Sequence, residues 1–256
     1  MNNPDNLNNG SPPSASSNAN RALFGIRGLL RWVGQLVLGL LAVSVLAVLL
    51  LRWIAPPTTS FMLQRQYDAW VAGNEHFELK YQWTDWQQIS SSIKMAAITS
   101  EDQAFANHWG IDLQSIQQAV EEYEKGQDLR GASTITQQVA KNLFLWPAPS
   151  FFRKGIEAYF ALLIELMWSK QRILEMYLNI AEFGDGIYGV QSAAQHYFHT
   201  TAAKLSKFQS ALMVTALPAP RRYNLANPSN YMLERRSWVL RYMDLLGNGA
   251  YLKKLE

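Results

Sequence analysis

The longest apolar stretch of the chain runs from Val33 to Leu51, and its only polar side chains are Gln35 and Ser44. As a helix, this 19-residue run comes close to the roughly 20 residues that cross the hydrocarbon core of a bilayer. Trp32 and Trp53 flank it, as aromatic residues do at membrane interfaces. No cleavage site of the A-x-A type follows, so the pattern favours an uncleaved anchor over a signal peptide. We therefore predict a transmembrane helix over residues 33–53.

The residues around this span predict its orientation. Residues 1–32 begin with a stretch rich in Asn, Ser and Pro, which predicts a disordered tail. Three arginines precede the span and Arg52 lies at its far edge, so the positive-inside rule places the tail in the cytoplasm and residues 54–256 outside it. Pro56 to Thr59 are typical of a short stiff linker between the anchor and this exported domain.

The exported part carries the spacing of a mainly α domain. Apolar residues recur every three or four positions, or form helix-length runs, in the segments 86–97, 111–123, 135–143, 159–168, 177–181, 193–198, 205–217 and 233–246. Asp112 stands where a helix cap is expected. Residues 61–84 are mixed and fit either a short helix or a strand, and no segment alternates convincingly. We predict eight or more helices.

Composition and charge exclude several classes of protein. The chain has 48% apolar and 17% charged residues, which excludes a disordered protein. Its net charge of +3 is too small for a nucleic-acid-binding protein. With no cysteine, and with four histidines that form no pair at metal-ligand spacing, disulfide scaffolds, thiol nucleophiles and metal-dependent hydrolysis lack support. P-loop, G-x-G-x-x-G and G-x-S-x-G motifs are missing as well.

The first candidate for chemistry is the pair Glu101 and Asp102, which follows the apolar helix ending near Ser100. A glutamate held there among aromatic residues gains a raised pKa through desolvation, which suits general acid or base catalysis. An acidic surface turn is the alternative that the residues alone leave open.

Two further segments could contact an anion. Gly131, Ser133 and Thr134 resemble a helix N-terminus, and Ser133, Gln137 and Lys141 at i, i+4 and i+8 would share one helix face. Arg153, Lys154 and Glu157 then place two cations and a carboxylate within one turn. The alternatives are a Thr-capped polar helix and an i,i+4 salt bridge. The uncharged residues 143–152 lie between these segments and predict contact with lipid.

Taken together, these segments resemble the peptidoglycan glycosyltransferase family (glycosyltransferase family 51), in particular its single-domain members. The similarity covers about residues 84–241. Its motifs occur in the family order: E-D-x-x-F-x-x-H-x-G at 101–110, G-A-S-T-I-T-Q-Q at 131–138, K-N at 141–142, R-K-x-x-E at 153–157, K-x-x-I-L-E-x-Y-L-N at 170–179 and G-x-Y-G at 186–189.

The resemblance implies a lysozyme-like α fold with a small membrane-contacting lobe, preceded by one transmembrane helix. It implies polymerisation of lipid II into glycan strands, with inversion and release of undecaprenyl diphosphate. Glu101 would be the general base and Glu157 the second catalytic carboxylate. The residues implied at the donor diphosphate are Ser133, Gln137, Lys141, Asn142, Arg153 and Lys154. Those implied to support the site are Asp102, Phe105, His108, Gly131, Thr134 and Gln138, with His108 in a structural role. Glu175, Tyr177 and Asn179 are expected to be mainly structural.

The same resemblance sets the expected partners and location. These are lipid II, the nascent glycan strand, membrane lipid and other cell-wall synthesis and division proteins, at the inner membrane with a periplasmic catalytic domain. No metal-binding residue is assigned, although Mg²⁺ or Mn²⁺ could accompany the diphosphate. Many family members carry an arginine where this chain has Pro149, so one phosphate contact is expected to differ.

Two other functions remain as alternatives. A lytic transglycosylase or muramidase shares the fold and a catalytic glutamate, but it needs neither a diphosphate site nor a lipid-facing loop. A non-enzymatic scaffold of wall synthesis would not require Glu101 and Glu157.

Overall fold

The computed structural model describes residues 15–126, 131, 133–247 and 249–255, of which 15–27 are described by their backbone alone. Helices make up most of this part of the chain, as the apolar spacing predicts. Their bounds are α1 Ala15–Leu51, α2 Ser60–Val71, α3 Ser91–Glu101, α4 Leu113–Glu124, α5 Ile135–Phe144, α6 Phe151–Met167, α7 Lys170–Ile180, α8 Val190–Phe198, α9 Lys207–Met213, α10 Asn230–Leu245 and α11 Gly249–Leu252. Short 3₁₀ helices cover Trp86–Gln88, Ala202–Lys204, Val214–Ala216 and Lys253–Leu255.

Helix α1 is longer than the predicted membrane span. It begins at Ala15, within the stretch expected to be a disordered tail, while residues 1–14 lie outside the described part of the chain. Extending a helix needs fewer residues to be fixed per hydrogen bond than starting one, so polar residues continue a helix that apolar residues establish. Its section Gly28–Leu51 has 24 residues, contains an 18-residue stretch with a mean hydropathy of 2.6, and is long and apolar enough to cross a membrane.

The chain divides into two compact units, Met1–Ala47 and Val48–Glu256. The second unit carries every candidate site residue. It also contains a small sheet of three strands, β1 Lys80–Tyr81, β2 Glu182–Gly184 and β3 Ile187–Tyr188, in the order β1-β3-β2. Strand β1 is parallel to β3, and β2 is antiparallel to it. The sequence indicated no strand because two or three residues are too few to show alternation. The mixed segment 61–84 contains both a helix, α2, and a strand, β1.

Helix α7 lies at the centre of the second unit. Seven of its residues between Ile173 and Ile180 are buried, and it packs against α3 and α5. Helices α9, α10 and α11 also pack on α3, while α2 and α6 pack on α5. This arrangement brings the end of α3, which carries Glu101, next to α5, which carries the second candidate segment.

The structure divides the apolar run 143–152 that was expected to contact lipid. Leu143 and Leu145 are buried in the core, whereas Phe151 and Phe152 at the start of α6 are 99% and 74% exposed. Only the later part of the run is therefore free to meet a membrane, because the earlier leucines complete the face that α5 packs inward.

Candidate active site

Glu101 is the last residue of α3, as the sequence indicated. The helix begins after Ser90, whose hydroxyl accepts a hydrogen bond from the Ile93 amide, and its middle turns are buried. Both carboxylate oxygens of Glu101 have a donor. Ser100 Oγ lies 3.0 Å from Oε1, and Gln138 Nε2 lies 3.0 Å from Oε2. These two hydrogen bonds fix the orientation of the carboxylate.

The surroundings of Glu101 adjust its acidity in two directions. Burial has the largest effect and raises the pKa of its carboxyl above the ordinary value. The hydrogen bonds from Gln138 and Ser100, and the charges of Arg235 and Lys141, lower that pKa in turn. Arg235 comes from α10, and its Nη2 lies 3.5 Å from the backbone oxygen of Ser100. A partly desolvated carboxylate that still faces cations is suited to accept a proton near neutral pH.

Gln138 is held from its other side by Tyr177 of α7. The Tyr177 hydroxyl donates to Gln138 Oε1 at 3.3 Å, and the Tyr177 side chain is completely buried. Burial, followed by the charges of Glu101 and Asp102, raises the pKa of this phenol well above its usual range. The hydroxyl therefore stays protonated and fixes which end of the Gln138 amide faces Glu101.

Asp102 joins α3 to the start of α5. Its Oδ2 accepts from the Ile135 amide at 3.0 Å, and both of its oxygens lie 2.9 Å from His108 Nε2. The hydrogen bonds of His108 therefore go to Asp102, and its ring lies edge-on to the buried Phe105. Because Asp102 fixes the first turn of α5, it also fixes the position of Gln138 beside Glu101.

The last glycine of the first motif, Gly110, has a positive φ of 75°. Its carbonyl accepts a hydrogen bond of 2.6 Å from the Thr134 hydroxyl, which caps α5. A Cβ at this position would lie 2.9 Å from Glu165 Cγ and 3.1 Å from the Ala161 oxygen. Glycine is required here both by the backbone angle and by the close approach of α6.

The structure places Gln137 in the cap of α5, and its predicted role at the diphosphate stays a prediction. The side-chain oxygen of Gln137 accepts a hydrogen bond from the Thr134 backbone N–H at 3.0 Å. The backbone N–H of Gln137 in turn donates to the Thr134 hydroxyl at 3.1 Å. This capping box buries the Gln137 side chain at the start of α5. Gln138 and Lys141, three residues apart on α5, line the cleft described below.

Glu157 is buried and binds both neighbouring cations. Arg153 Nη1 lies 2.9 Å from its Oε2, and Lys154 Nζ lies 2.5 Å from its Oε1. The i,i+4 salt bridge left open by the sequence is therefore present, and Lys154 adds a second ion pair. Lys154 also donates to the Ser133 hydroxyl at 3.1 Å, so the exposed Ser133 lies next to this pair.

Lys141 is affected by the charges of both carboxylates, Glu157 and Glu101. Burial lowers the pKa of its ammonium, Glu157 and Glu101 raise it, and Arg153 and Lys154 lower it further. Its Nζ lies 5.5 Å from the centre of the Phe61 ring. Among the residues that the structure describes, it has no hydrogen bond or ion pair. A poorly solvated cation without an anionic partner of its own is suited to bind an anionic ligand.

A cleft of about 380 Å³ opens beside these residues. Of the predicted site residues, Gln138, Lys141 and Asn142 line it, and Glu101 is joined to this wall by its hydrogen bond to Gln138. Further wall residues are Phe61, Gln64, Asp68, Pro147, Tyr177, Glu182, Tyr188, Leu217, Arg221 and Arg222. Pro149 lies exposed in the loop between α5 and α6, and Ser150 after it caps α6.

Two polar residues of this site were not assigned from the sequence. Tyr177 was expected to be structural, yet it orients Gln138 and lines the cleft. Arg235 was not singled out, because it lies in α10, far along the chain from the residue whose pKa it lowers. The G-A-S-T-I-T-Q-Q motif did contain a signal for Gln137, since Thr134-x-x-Gln137 has the spacing of a capping box.

No group of three or more His, Asp or Glu side chains with metal-site geometry occurs among the described residues. The carboxylates of the site are instead occupied by donors from the chain. Glu101 is bound by Ser100 and Gln138, and Glu157 by Arg153 and Lys154.

Comparison with known proteins agrees with this geometry. The family model described as Transglycosylase matches residues 71–244, more than half of the chain. The chain belongs to the transglycosylase family. A biosynthetic peptidoglycan transglycosylase of Stutzerimonas stutzeri is 49% identical over 231 residues, covering 90% of this chain and 95% of that protein. Proteins of the same description from Pseudomonas putida and Pseudomonas savastanoi are 48% and 47% identical over 228 residues, each covering 89% of this chain and 96% of the relative.

Membership of the transglycosylase family confirms the recognition and fold predictions. The helical second unit is the lysozyme-like domain of this family. The matched region begins in α2 and ends in α10, so it contains Glu101, Lys141 and Glu157 as well as Arg235. It begins after α1, so the apolar helix lies outside the region that defines the family.

Proposed function

We propose that this chain polymerises lipid II into peptidoglycan glycan strands by inverting glycosyl transfer. One observation carries the proposal: Glu101, with a raised pKa, lies hydrogen-bonded beside a cleft whose wall includes the unpaired cation Lys141. A base and a cation at one cleft match a reaction that deprotonates a hydroxyl and expels a diphosphate. The relatives named as biosynthetic peptidoglycan transglycosylases support the same substrate class.

In the proposed reaction, Glu101 accepts the proton of the GlcNAc 4-hydroxyl of one lipid II molecule. The oxygen then bonds to the anomeric carbon of the growing chain, and the bond from that carbon to the diphosphate breaks. The electron pair leaves with undecaprenyl diphosphate, and the configuration inverts. Ser100 and Gln138 hold the carboxylate with its free lone pairs toward the incoming hydroxyl.

The proposed diphosphate site combines Lys141 with the cations at the start of α6. Arg153 and Lys154 are half-neutralised by Glu157, which holds them in place beside Ser133. Glu157 therefore acts in this proposal as a positioning residue for the cations, in place of direct proton transfer. A divalent ion such as Mg²⁺ or Mn²⁺ would arrive with the diphosphate and share its charge.

We further propose that the apolar helix is a single-pass anchor in the inner membrane. The three arginines that precede it favour a cytoplasmic N-terminus and a periplasmic catalytic unit. Exposed Phe151 and Phe152 would meet the lipid that carries both substrates. The expected partners beyond lipid II and the glycan strand are other cell-wall synthesis and division proteins.

The alternatives fit the site less well. A lytic enzyme that cleaves finished glycan has no use for Lys141, Arg153 and Lys154 gathered beside the catalytic glutamate. A scaffold has no use for a carboxylate that is partly buried, hydrogen-bonded on both oxygens and near a cation, because desolvating a charge is costly.

The test is lipid II polymerisation by the full chain and by Glu101→Gln, read as glycan ladders on a gel. The amide keeps the shape of the side chain and removes the base, so ladders are expected from the wild type and none from the variant. Glu75→Gln is the matched control, because Glu75 is exposed and outside the cleft. Equal ladders from wild type and Glu101→Gln would refute the role of Glu101. Absence of ladders from all three proteins would refute the proposed reaction.

A further inference from the structure

Pro56 to Thr59 were expected to form a short stiff linker, and in the structure both this stretch and the end of α1 before it accept hydrogen bonds from side chains of the catalytic unit. We name residues 48–59 the junction. They lie wholly within the second compact unit, and Val48, inside the last turn of α1, is completely buried. The side chains and backbone of this unit therefore determine where the helix ends.

The end of α1 shows how it is held. The last carbonyls of a helix have no partner within it. Backbone amides of the following turn reach two of them, with Trp53 bonding the Leu50 oxygen at 3.1 Å and Arg52 the Leu49 oxygen at 3.3 Å. The backbone oxygens of Val48 and Leu51 instead accept hydrogen bonds from side chains of the catalytic unit.

Trp168 and Arg172 supply these side chains. Trp168 Nε1 donates to the Val48 oxygen at 2.8 Å in a buried contact. Arg172 donates to the Leu51 oxygen at 2.8 Å through Nη2 and at 3.2 Å through Nε. Nη2 of Arg172 also lies 3.0 Å from the Ile54 oxygen, beyond the helix. A guanidinium at this end of a helix is favoured by the helix dipole as well.

Arg172 is itself held in place from behind. Its Nη1 lies 2.7 Å from Glu175 Oε2, and Oε1 of the same carboxylate accepts from the Trp86 amide at 2.7 Å. The guanidinium also lies over the Trp83 ring at 5.0 Å. The N–H donors of Arg172 are thus divided between the junction and Glu175. Arg172 lies on α7, the helix that also carries Tyr177 of the candidate site.

The rest of the junction is bound as well. The Tyr81 hydroxyl donates to the Pro56 oxygen at 2.8 Å, and Pro56 is buried. Thr59 then caps α2, and the Ser60 hydroxyl donates to the Leu145 oxygen at 2.7 Å. A free spacer would be solvated along its length, so these contacts are not those of a flexible tether.

We propose that Arg172 and Trp168 are positioning residues that bind the carbonyls of Val48, Leu51 and Ile54 and so keep the junction an ordered part of the catalytic unit, and that this order speeds the reaction of substrates held in a bilayer. The inference rests on the proposed function, because an ordered junction matters when both substrates are lipids in one bilayer. In detergent micelles, where substrate and enzyme orient freely, the same residues are dispensable for the chemistry.

The test compares the full chain with Arg172→Met and Trp168→Phe, each assayed with lipid II in bilayer vesicles and in detergent micelles. Trp168→Phe keeps an aromatic side chain but removes the Nε1 donor and part of the buried indole, and the assay in detergent controls for that loss of packing. Arg241→Met is the matched control, since Arg241 is exposed on α10 and has no hydrogen bond or ion pair among the described residues. We expect a loss of about tenfold in bilayers, since small misplacements of reactants are costly, and a change of about twofold or less in detergent.

Hydrogen exchange of the junction amides gives a readout independent of activity. Losing charge-assisted hydrogen bonds should speed exchange at Trp53 and Ile54 about tenfold in Arg172→Met. Unchanged exchange would overturn the inference, as would equal bilayer activity of wild type and both variants. Equal losses in bilayers and detergent would also overturn it, by showing a general role in folding. If the wild type polymerises lipid II in neither medium, the proposed function fails, and the exchange rates alone decide whether the junction is fastened.

Discussion

Replacing Tyr177 by phenylalanine tests whether the orientation of Gln138 matters to the reaction. The variant removes one hydroxyl from a completely buried ring and leaves the ring in place. Its hydrogen bond to Gln138 Oε1 is long, at 3.3 Å, so its loss is worth about 1 kcal/mol, toward the lower end for a buried acceptor left unpaired. Expressed fully in the transition state, this amounts to about a fivefold fall in kcat/KM.

The direction of a pH shift distinguishes this role from a loss of stability. The hydrogen bond from Gln138 lowers the pKa of Glu101. When the amide is free to turn away, that pKa rises further, and the acidic limb of the kcat/KM profile moves to higher pH. A variant that was merely less stable would keep the wild-type profile.

The assay is the initial rate of lipid II consumption across mildly acidic to mildly basic pH, with thermal unfolding measured in parallel. Tyr251→Phe is the matched control. Its hydroxyl is also part-buried, donates to the Gln103 oxygen at 3.0 Å and accepts from the Ala106 amide at 3.0 Å, but it does not line the cleft. The reasoning is refuted if Tyr177→Phe shows the rate and pH profile of Tyr251→Phe.

Three other predictions concern the same site. Arg235→Met removes a charge that lowers the pKa of Glu101, so the acidic limb of the kcat/KM profile should move to higher pH. Arg235→Lys keeps the charge and should restore the wild-type profile. An unmoved limb in Arg235→Met would contradict the effect of Arg235 on Glu101. The pKa of Glu101 is raised in the folded chain, so the folded chain binds the proton more tightly than the unfolded chain does. Ionised Glu101 therefore lowers the free energy of unfolding once the pH rises above the ordinary carboxyl pKa of 4.5. Glu101→Gln should therefore melt at a higher temperature than wild type at neutral pH, with the difference vanishing in acid; calorimetry that finds no gain would count against a buried carboxylate. Pro149→Arg adds a cation in an exposed loop and should not lower polymerisation, whereas a clear loss in the lipid II assay would show that the loop requires proline.

Local rules explain why much of the fold was predictable. Helical spacing located α3 to α10, and Asp112 and Thr134 cap α4 and α5 as their residue types suggest. The salt bridge between Arg153 and Glu157 follows from their separation of four residues on one helix. Each of these features depends on residues within one or two turns of each other, which the sequence displays directly.

Two local rules compete at the start of α5. Gln137 has the spacing to share a face with Lys141 and also the spacing to close a capping box with Thr134. The capping box prevailed, because unpaired amides at a buried helix start cost more than an unmade contact in a solvated cleft. The strands β1 to β3 escaped detection because their pairing partners, and not their own residues, make them strands.

By itself, the sequence determined the apolar anchor, the helical class and the order of motifs that contain Glu101, Lys141 and Glu157. Only the tertiary structure shows that Gln138 and Tyr177 orient Glu101, that the charge of Arg235 lowers its pKa, and that Arg172 donates to the Leu51 carbonyl at the end of α1. The physical reason is the range of the interactions. Helix periodicity and caps act between near neighbours, whereas these hydrogen bonds and charges join residues dozens of positions apart, which only the packing of α3, α5, α7 and α10 brings together.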